Sequence, residues 1–291
     1  MAKISPSPSD KRQTARDKAR SIAQQQAQRE KTAQRILYSG IAVVVCAVAV
    51  VVTVLLVQAA KPVTGPSTYV SGSITLAKDD DSLSAIALDP PADVDIPSGV
   101  VKPAATDLND KAAKVKVYLD FQCPACAAFE EINGDVLEKL VHDGTIALQY
   151  YPLAMLDRAS SGNEYSTRAA NMAACVADSG QVDVYPELVK VMFANQPEEG
   201  GNGMTDEQML AYAERAGVDL NAKTVNAEGA TVRECVKQTS FEKVVANGTQ
   251  KALDSKINGT PSVFINGKQV ESWQDPKQFA AQILKAAGEN R

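Results

Sequence analysis

Histidine is almost missing from this chain: His142 stands alone among 291 residues. A structural zinc site commonly joins a C-x-x-C pair to histidines or to a second such pair. Here there is one C-x-x-C, at Cys123 and Cys126, and only Cys175 and Cys235 could complete a four-cysteine set. Nothing in the local pattern calls for that, so no metal is expected. Charge is missing too, but only locally: residues 36–58 contain no Asp, Glu, Lys or Arg. No internal repeat is visible.

The uncharged run is almost wholly aliphatic, and about 20 such residues span the hydrocarbon core of a bilayer as a helix. Residues 1–35 carry nine Lys/Arg against Asp10, Asp17 and Glu30. A basic flank stays in the cytoplasm, which places the N-terminus inside and everything after Lys61 outside. A cleaved signal peptide with V-Q-A at 57–59 is the competing reading, but its apolar core would exceed the roughly 7–15 residues usual for one. Beyond residue 35 there remain 21 basic and 32 acidic residues, a net of −11. Phosphate contacts need clustered Lys/Arg, so this part of the chain is a poor nucleic-acid binder. Cys46, inside the apolar run, reads as a small apolar residue.

Residues 59–111 read as an extracytoplasmic linker. Pro62, Pro66, Pro90, Pro91, Pro97 and Pro103 resist helix and central strand alike. One edge strand is expected within it, near 73–77, beside an acidic turn at Asp79–Asp81. A folded domain is expected over 112–291. Alternation at 115–121 gives a strand, helical spacing follows at 127–141, and 146–153 gives a second strand, which implies a parallel pair with a crossover. Helical patterns then run over 161–177, 183–195, 205–217 and 230–245, with Thr205 as an N-cap. A hairpin about Asn266–Gly267 and a helix over 276–287 close the chain.

Cys123 and Cys126 sit where the first strand gives way to its helix. As a structural disulfide the pair would be a weak staple, because so small a ring removes little chain entropy. At a helix N-terminus, unpaired N–H groups and the helix dipole lower the pKa of the first cysteine. Thiolates drive disulfide exchange, so Cys123 is poised to attack and Cys126 to resolve.

The motif D-F-Q-C-P-A-C-A-A-F-E at 120–130, with I-N-G-T-P-S-V-F-I-N-G at 257–267, resembles the DsbA-like branch of the thioredoxin superfamily. The resemblance covers residues 112–289 and extends to membrane-anchored bacterial members of actinobacterial type. It implies an α/β thioredoxin fold with an all-helical insertion at about 160–247, here preceded by a single transmembrane helix. It also implies thiol–disulfide oxidoreduction on exported cysteine-containing proteins, with no bound cofactor, by a monomer. The implied redox partner is a membrane quinone-linked reoxidant, or an electron donor if the protein runs as a reductase. A reductase dedicated to one partner, or a redox-inactive binding or chaperone module, is the alternative.

In that family a cis-proline packs against the active pair, and Thr260–Pro261 matches it here. Pro124 and Ala125 fill the motif between the cysteines. Two departures stand out. Strongly oxidising members carry a histidine where this chain has Ala125, so a milder oxidant is expected. Their buried acid six residues before the first cysteine corresponds to Val117, whereas Asp120 lies three before, in a proton-relaying or structural role. Cys175 and Cys235 lie on apolar helix faces and are expected to form a structural disulfide; a second redox centre or two buried thiols is the alternative. His142 reads as a surface residue, and Trp273 and Tyr69 as packing.

Overall fold

The computed structural model describes residues 40, 44–53, 64–88, 101–103 and 112–289. These belong to two units, Met1–Pro62 and Val63–Arg291. In the first, residues 40 and 44–53 are helical. The basic tail and the rest of the expected membrane span lie outside the described residues, as do parts of the linker at 59–63, 89–100 and 104–111. Among the described residues no helix is long and apolar enough to cross a membrane.

The second unit begins with strands where a linker was expected. β1 (Tyr69–Val70), β2 (Ser73–Asp79), β3 (Ser82–Ala87) and β4 (Lys102–Pro103) all join the main sheet. β2 corrects the expectation of a single edge strand, because it lies inside the sheet between β3 and a later strand. The reason is in the proline spacing: 67–89 is proline-free, and Pro103, the one proline of the expected linker that falls in a described strand, is in terminal β4. Asp79 pairs with Ser82 across an Asp80–Asp81 turn.

β5 (Ala113–Leu119) is an interior strand of the sheet. Its alternate residues Val115, Val117 and Leu119 are buried, as a strand with one packed face requires. α1 (Pro124–His142) follows, then β6 (Ile146–Pro152), parallel to β5 with Val115 opposite Leu148. α1 starts three residues earlier than its apolar spacing suggested. Proline suits the first helical position, where its missing N–H costs nothing. Cys123 is therefore the N-cap and Cys126 lies in the first turn.

A 3-10 turn (Asp157–Ala159) and five α-helices separate β6 from the next strand: α2 (Tyr165–Asp178), α3 (Tyr185–Ala194), α4 (Asp206–Arg215), α5 (Val232–Lys237) and α6 (Glu242–Asp254). α2 starts later than expected because Gly162 and Glu164 take left-handed backbones. Thr205 caps α4 with Gln208 in a reciprocal capping box. The single helix expected over 230–245 is in fact α5 and α6, broken where Thr239 adopts φ 49°. The insertion consequently runs to Asp254. β7 (Ser262–Ile265) then pairs antiparallel with β5, β8 (Lys268–Gln269) turns back on it through Asn266–Gly267, and α7 (Pro276–Glu289) ends the described chain. The sheet order is β4-β3-β2-β6-β5-β7-β8, with β1 on β2. Phe129 of α1 meets Phe279 of α7 edge-on at 5.8 Å, one of the contacts that pack these helices together.

Cys175 of α2 and Cys235 of α5 form a disulfide, both fully buried, across 60 residues of sequence. Closing a loop of that length is worth about 4 kcal/mol in the chain-entropy account. The double variant Cys175→Ala/Cys235→Ala is expected to unfold at markedly lower urea concentration, with the denaturant slope as the check on two-state behaviour. An unchanged midpoint would contradict a stapling role. Asp178, at the end of α2, accepts from the N–H groups of Ser67, Asn226 and Ala227 and so ties the N-terminal strands to the insertion.

Candidate active site

The junction between β5 and α1 is a short, fully specified turn. The Cys123 N–H donates to the Asp120 carbonyl (2.9 Å), and the Cys126 N–H to that of Cys123 (3.0 Å). Gln196 donates from its side-chain amide to the carbonyls of Phe121 (2.9 Å) and Cys123 (3.0 Å). Gln122 reaches across to the carbonyl of Ala159. These two glutamines hold the turn from the insertion side. Gln122 lies in the motif itself, but no local signal in the sequence marks Gln196.

Both sulfurs are thiols, and their surroundings differ. Cys123 retains 8% of its surface and Cys126 only 1%, so an incoming sulfur can reach only the first. The Cys123 Sγ lies 3.1 Å from the Thr260 carbonyl, and the Thr260–Pro261 bond is cis. A hydrogen bond from the Cys126 thiol is the main cause that lowers the Cys123 pKa to about 6. Partial burial opposes it; the Thr260 side chain and the N–H groups of Cys126 and Ala125, at the open end of α1, reinforce it. Burial, and the Cys123 sulfur beside it, push the Cys126 thiol well above its ordinary value. Near neutral pH one sulfur is a thiolate and its neighbour holds a proton, which is the division that disulfide exchange needs. A lowered pKa is reached with Ala125 between the cysteines.

Asp120 is fully buried just behind this turn. Its carboxylate accepts from the Gln122 N–H (2.9 Å), the Ser166 hydroxyl (2.7 Å), and the N–H groups of Met155 (2.7 Å) and Leu156 (3.0 Å). Burial raises its pKa and those four donors pull it back. With both oxygens engaged, the carboxylate ties the cysteine turn to the β6–α2 connection.

A cavity of about 620 Å3 opens in front of Cys123. Thr260 and Gly259 line one side, residues 154–158 another, and Thr249 and Leu253 of α6 a third. Of the residues singled out in the sequence, Cys123, Cys126, Pro124, Ala125, Thr260, Pro261 and Asp120 come together here. Cys175 and Cys235 belong to the insertion instead. His142 is exposed at the far end of α1, and Trp273 packs edge-on against Phe129 at 5.3 Å. Tyr69 is buried with its hydroxyl 3.1 Å from that of Tyr185. Cys46 lies in the other unit and is exposed. Among the described residues no group of three or more His, Cys, Asp or Glu side chains could hold a metal ion.

The family model described as Thioredoxin matches residues 109–285. Among solved structures the chain is similar to oxidised DsbA of Mycobacterium tuberculosis, with TM-score 0.53 and 27% identity over 74% of this chain and 93% of that one. It is equally similar to the reduced disulfide bond oxidoreductase DsbG of Mycobacterium tuberculosis, with TM-score 0.53 and 27% identity over 74% and 88%. Among curated proteins, it is 27% identical over 175 residues to the serine/threonine-protein kinase PknE of Mycobacterium tuberculosis. That match covers 58% of this chain and 29% of the kinase, so the chain spans under a third of that relative.

Proposed function

The chain belongs to the thioredoxin family, and from that membership we propose that it is a thiol–disulfide oxidoreductase acting on exported proteins through Cys123 and Cys126. The observation that carries the reading is the unequal pair: an accessible, acidified thiol at a helix N-terminus, backed by a buried, protonated one.

In the oxidising direction a substrate thiolate attacks Sγ of Cys123 in the Cys123–Cys126 disulfide. The electron pair of the broken bond leaves on Cys126, which takes up a proton. A second substrate thiolate then attacks the substrate sulfur of the mixed disulfide and releases the Cys123 thiolate. The substrate gains one disulfide, and the protein becomes a dithiol. The reducing direction runs the same steps backwards, with the Cys123 thiolate as the attacking group. Thr260 and the Ala125 and Cys126 N–H groups stabilise that thiolate. Asp120 serves as a structural anchor of the turn.

The cycle closes on a membrane quinone-linked reoxidant, or on an electron donor if the protein reduces. The apolar run at 36–58 and its basic flank support a single-pass anchor with the catalytic unit outside the membrane of a bacterial cell. The test is turnover of a disulfide-bonded peptide by the full-length reduced chain, with Cys123→Ser as the comparison. Equal turnover by the two proteins would refute the proposal.

A further inference from the structure

The cavity in front of Cys123 carries more than apolar wall. Arg158 and Glu199 also line it, both exposed, and neither has an ion-pair or hydrogen-bond partner among the described residues. Asp157, the acid beside Arg158 in sequence, makes no ion pair with it and instead accepts from the Thr167 N–H (2.9 Å) and hydroxyl (2.6 Å). The two charges stand on segments that are fastened together. Gly200, next to Glu199, donates its N–H to the carbonyl of Ala159, next to Arg158, at 2.7 Å, and the Ser161 hydroxyl donates to the Gly200 carbonyl. The Arg158 segment is in turn fixed to the cysteine turn, through Asp120 holding Met155 and Leu156 and through Gln122 holding Ala159. Thr249 fixes it to α6 by accepting the Ala154 N–H at 2.9 Å. The backbone positions that carry a cation and an anion are thus fixed relative to Cys123, with Met155 and the 40%-exposed Leu253 among the apolar wall.

We propose that this cavity reads the charge order of an extended, cysteine-bearing protein segment. An apolar side chain next to the substrate cysteine lies against Met155 and Leu253, an acidic side chain faces Arg158, and a basic one faces Glu199. The proposal rests on the reading of Cys123 as the exchanging thiol. Oppositely charged partners satisfy both rim charges, whereas the reversed order puts like charges face to face at two points; that repulsion supplies the discrimination. Met155 is an adaptable wall, so the apolar contact tolerates many side chains while the charges select among them.

The experiment uses the full-length chain carrying Cys126→Ser, reduced, and two peptides with one cysteine each, capped as a mixed disulfide with thionitrobenzoate. The peptides have the same composition, with an acidic and a basic residue exchanged across the cysteine. The Cys123 thiolate attacks the peptide sulfur, and the released thionitrobenzoate anion is read by its absorbance. One charge order should react faster by roughly fivefold at low salt, the scale of an exposed ion pair. The preference should shrink as salt is raised. In the charge-swapped variant Arg158→Glu/Glu199→Arg the preferred peptide should change. Ratios within each protein cancel general effects on the thiol, and a circular-dichroism melt checks folding. A preference that survives the swap, or no preference while Cys123 still reacts with both peptides, would overturn the proposal. Failure of Cys123 to react with either peptide or with glutathione disulfide would instead sink the oxidoreductase reading, and this inference with it.

Discussion

Serine at position 123 should lower peptide-disulfide turnover by more than about a thousandfold, because no other described thiol of the second unit can replace the nucleophile. Cys126 is 1% exposed and holds its proton, and Cys175 and Cys235 are bonded to each other. Serine at position 126 should behave differently. Cys123 still attacks, but no neighbouring thiol resolves the product, so the mixed disulfide accumulates as a stable adduct. Alanine at position 126, which removes the donor altogether, should also move the Cys123 pKa upward from about 6, since that hydrogen bond is the largest cause of the lowering. Intact-mass spectrometry after incubation with a peptide disulfide separates the outcomes: an adduct on Cys126→Ser and none on Cys123→Ser. Adducts of equal yield on both variants would show that Cys123 is not the attacking group.

The second large effect concerns stability. Glu130 lies on α1 one turn beyond Cys126 and is buried, and its Oε2 has no hydrogen-bond partner among the described residues. Gly134 makes the space: a Cβ there would lie 2.7 Å from Glu130 Oε1. Burial is the main cause that pushes the Glu130 carboxyl up to about 8; Lys190 pulls it down, and Glu138 and Asp135 push it further up. Lys190 has little attraction to spare, being paired already with Asp135, Glu138 and Glu187 at 2.8, 3.2 and 3.3 Å.

The sign follows from linkage. The unfolded chain gives up this proton near 4.5 and the folded chain near 8, so the folded form holds the proton more tightly. The stability this contributes is complete below about pH 4.5 and is lost as the pH rises through 8. Glu130→Gln keeps the shape and removes the charge. Relative to this variant, the parent should lose up to ~5 kcal/mol between pH 4.5 and 8. Urea unfolding of both proteins across that range provides the check, and the difference between them isolates Glu130 from every other titrating group. Parallel stability curves would show that the carboxyl is solvated after all.

Local signals carried most of what the sequence revealed. The C-x-x-C at a strand-to-helix junction, the T-P before β7 and the Asn-Gly hairpin each depend on residues within a few positions. Thr205 declared its helix for the same reason. What escaped depends on distant pairings. β2 was legible as a strand but read as an edge, because its neighbour β6 is more than 70 residues away, with Ile74 set against Tyr150. Gln196 is anonymous until the insertion brings it over the cysteine turn. The role of Asp120 stayed open because its donors Met155, Leu156 and Ser166 lie 35 to 46 residues downstream. The break at Thr239 has a related cause: helical spacing of the apolar residues continues across it, while Phe241 is pinned by its N–H to Asn171 of α2.

The central claim is that Cys123 is a largely buried thiolate that keeps 8% of its surface accessible, backed by a protonated Cys126. It is tested most directly by alkylating the reduced full-length chain with iodoacetamide as a function of pH, followed by peptide mapping. The account predicts that, within the second unit, Cys123 alone is modified in the native state, with a rate that rises through a midpoint near pH 6. Cys126 should stay unmodified until the protein is unfolded. A midpoint near 9, the ordinary thiol value, or modification of Cys126 ahead of Cys123, would contradict it.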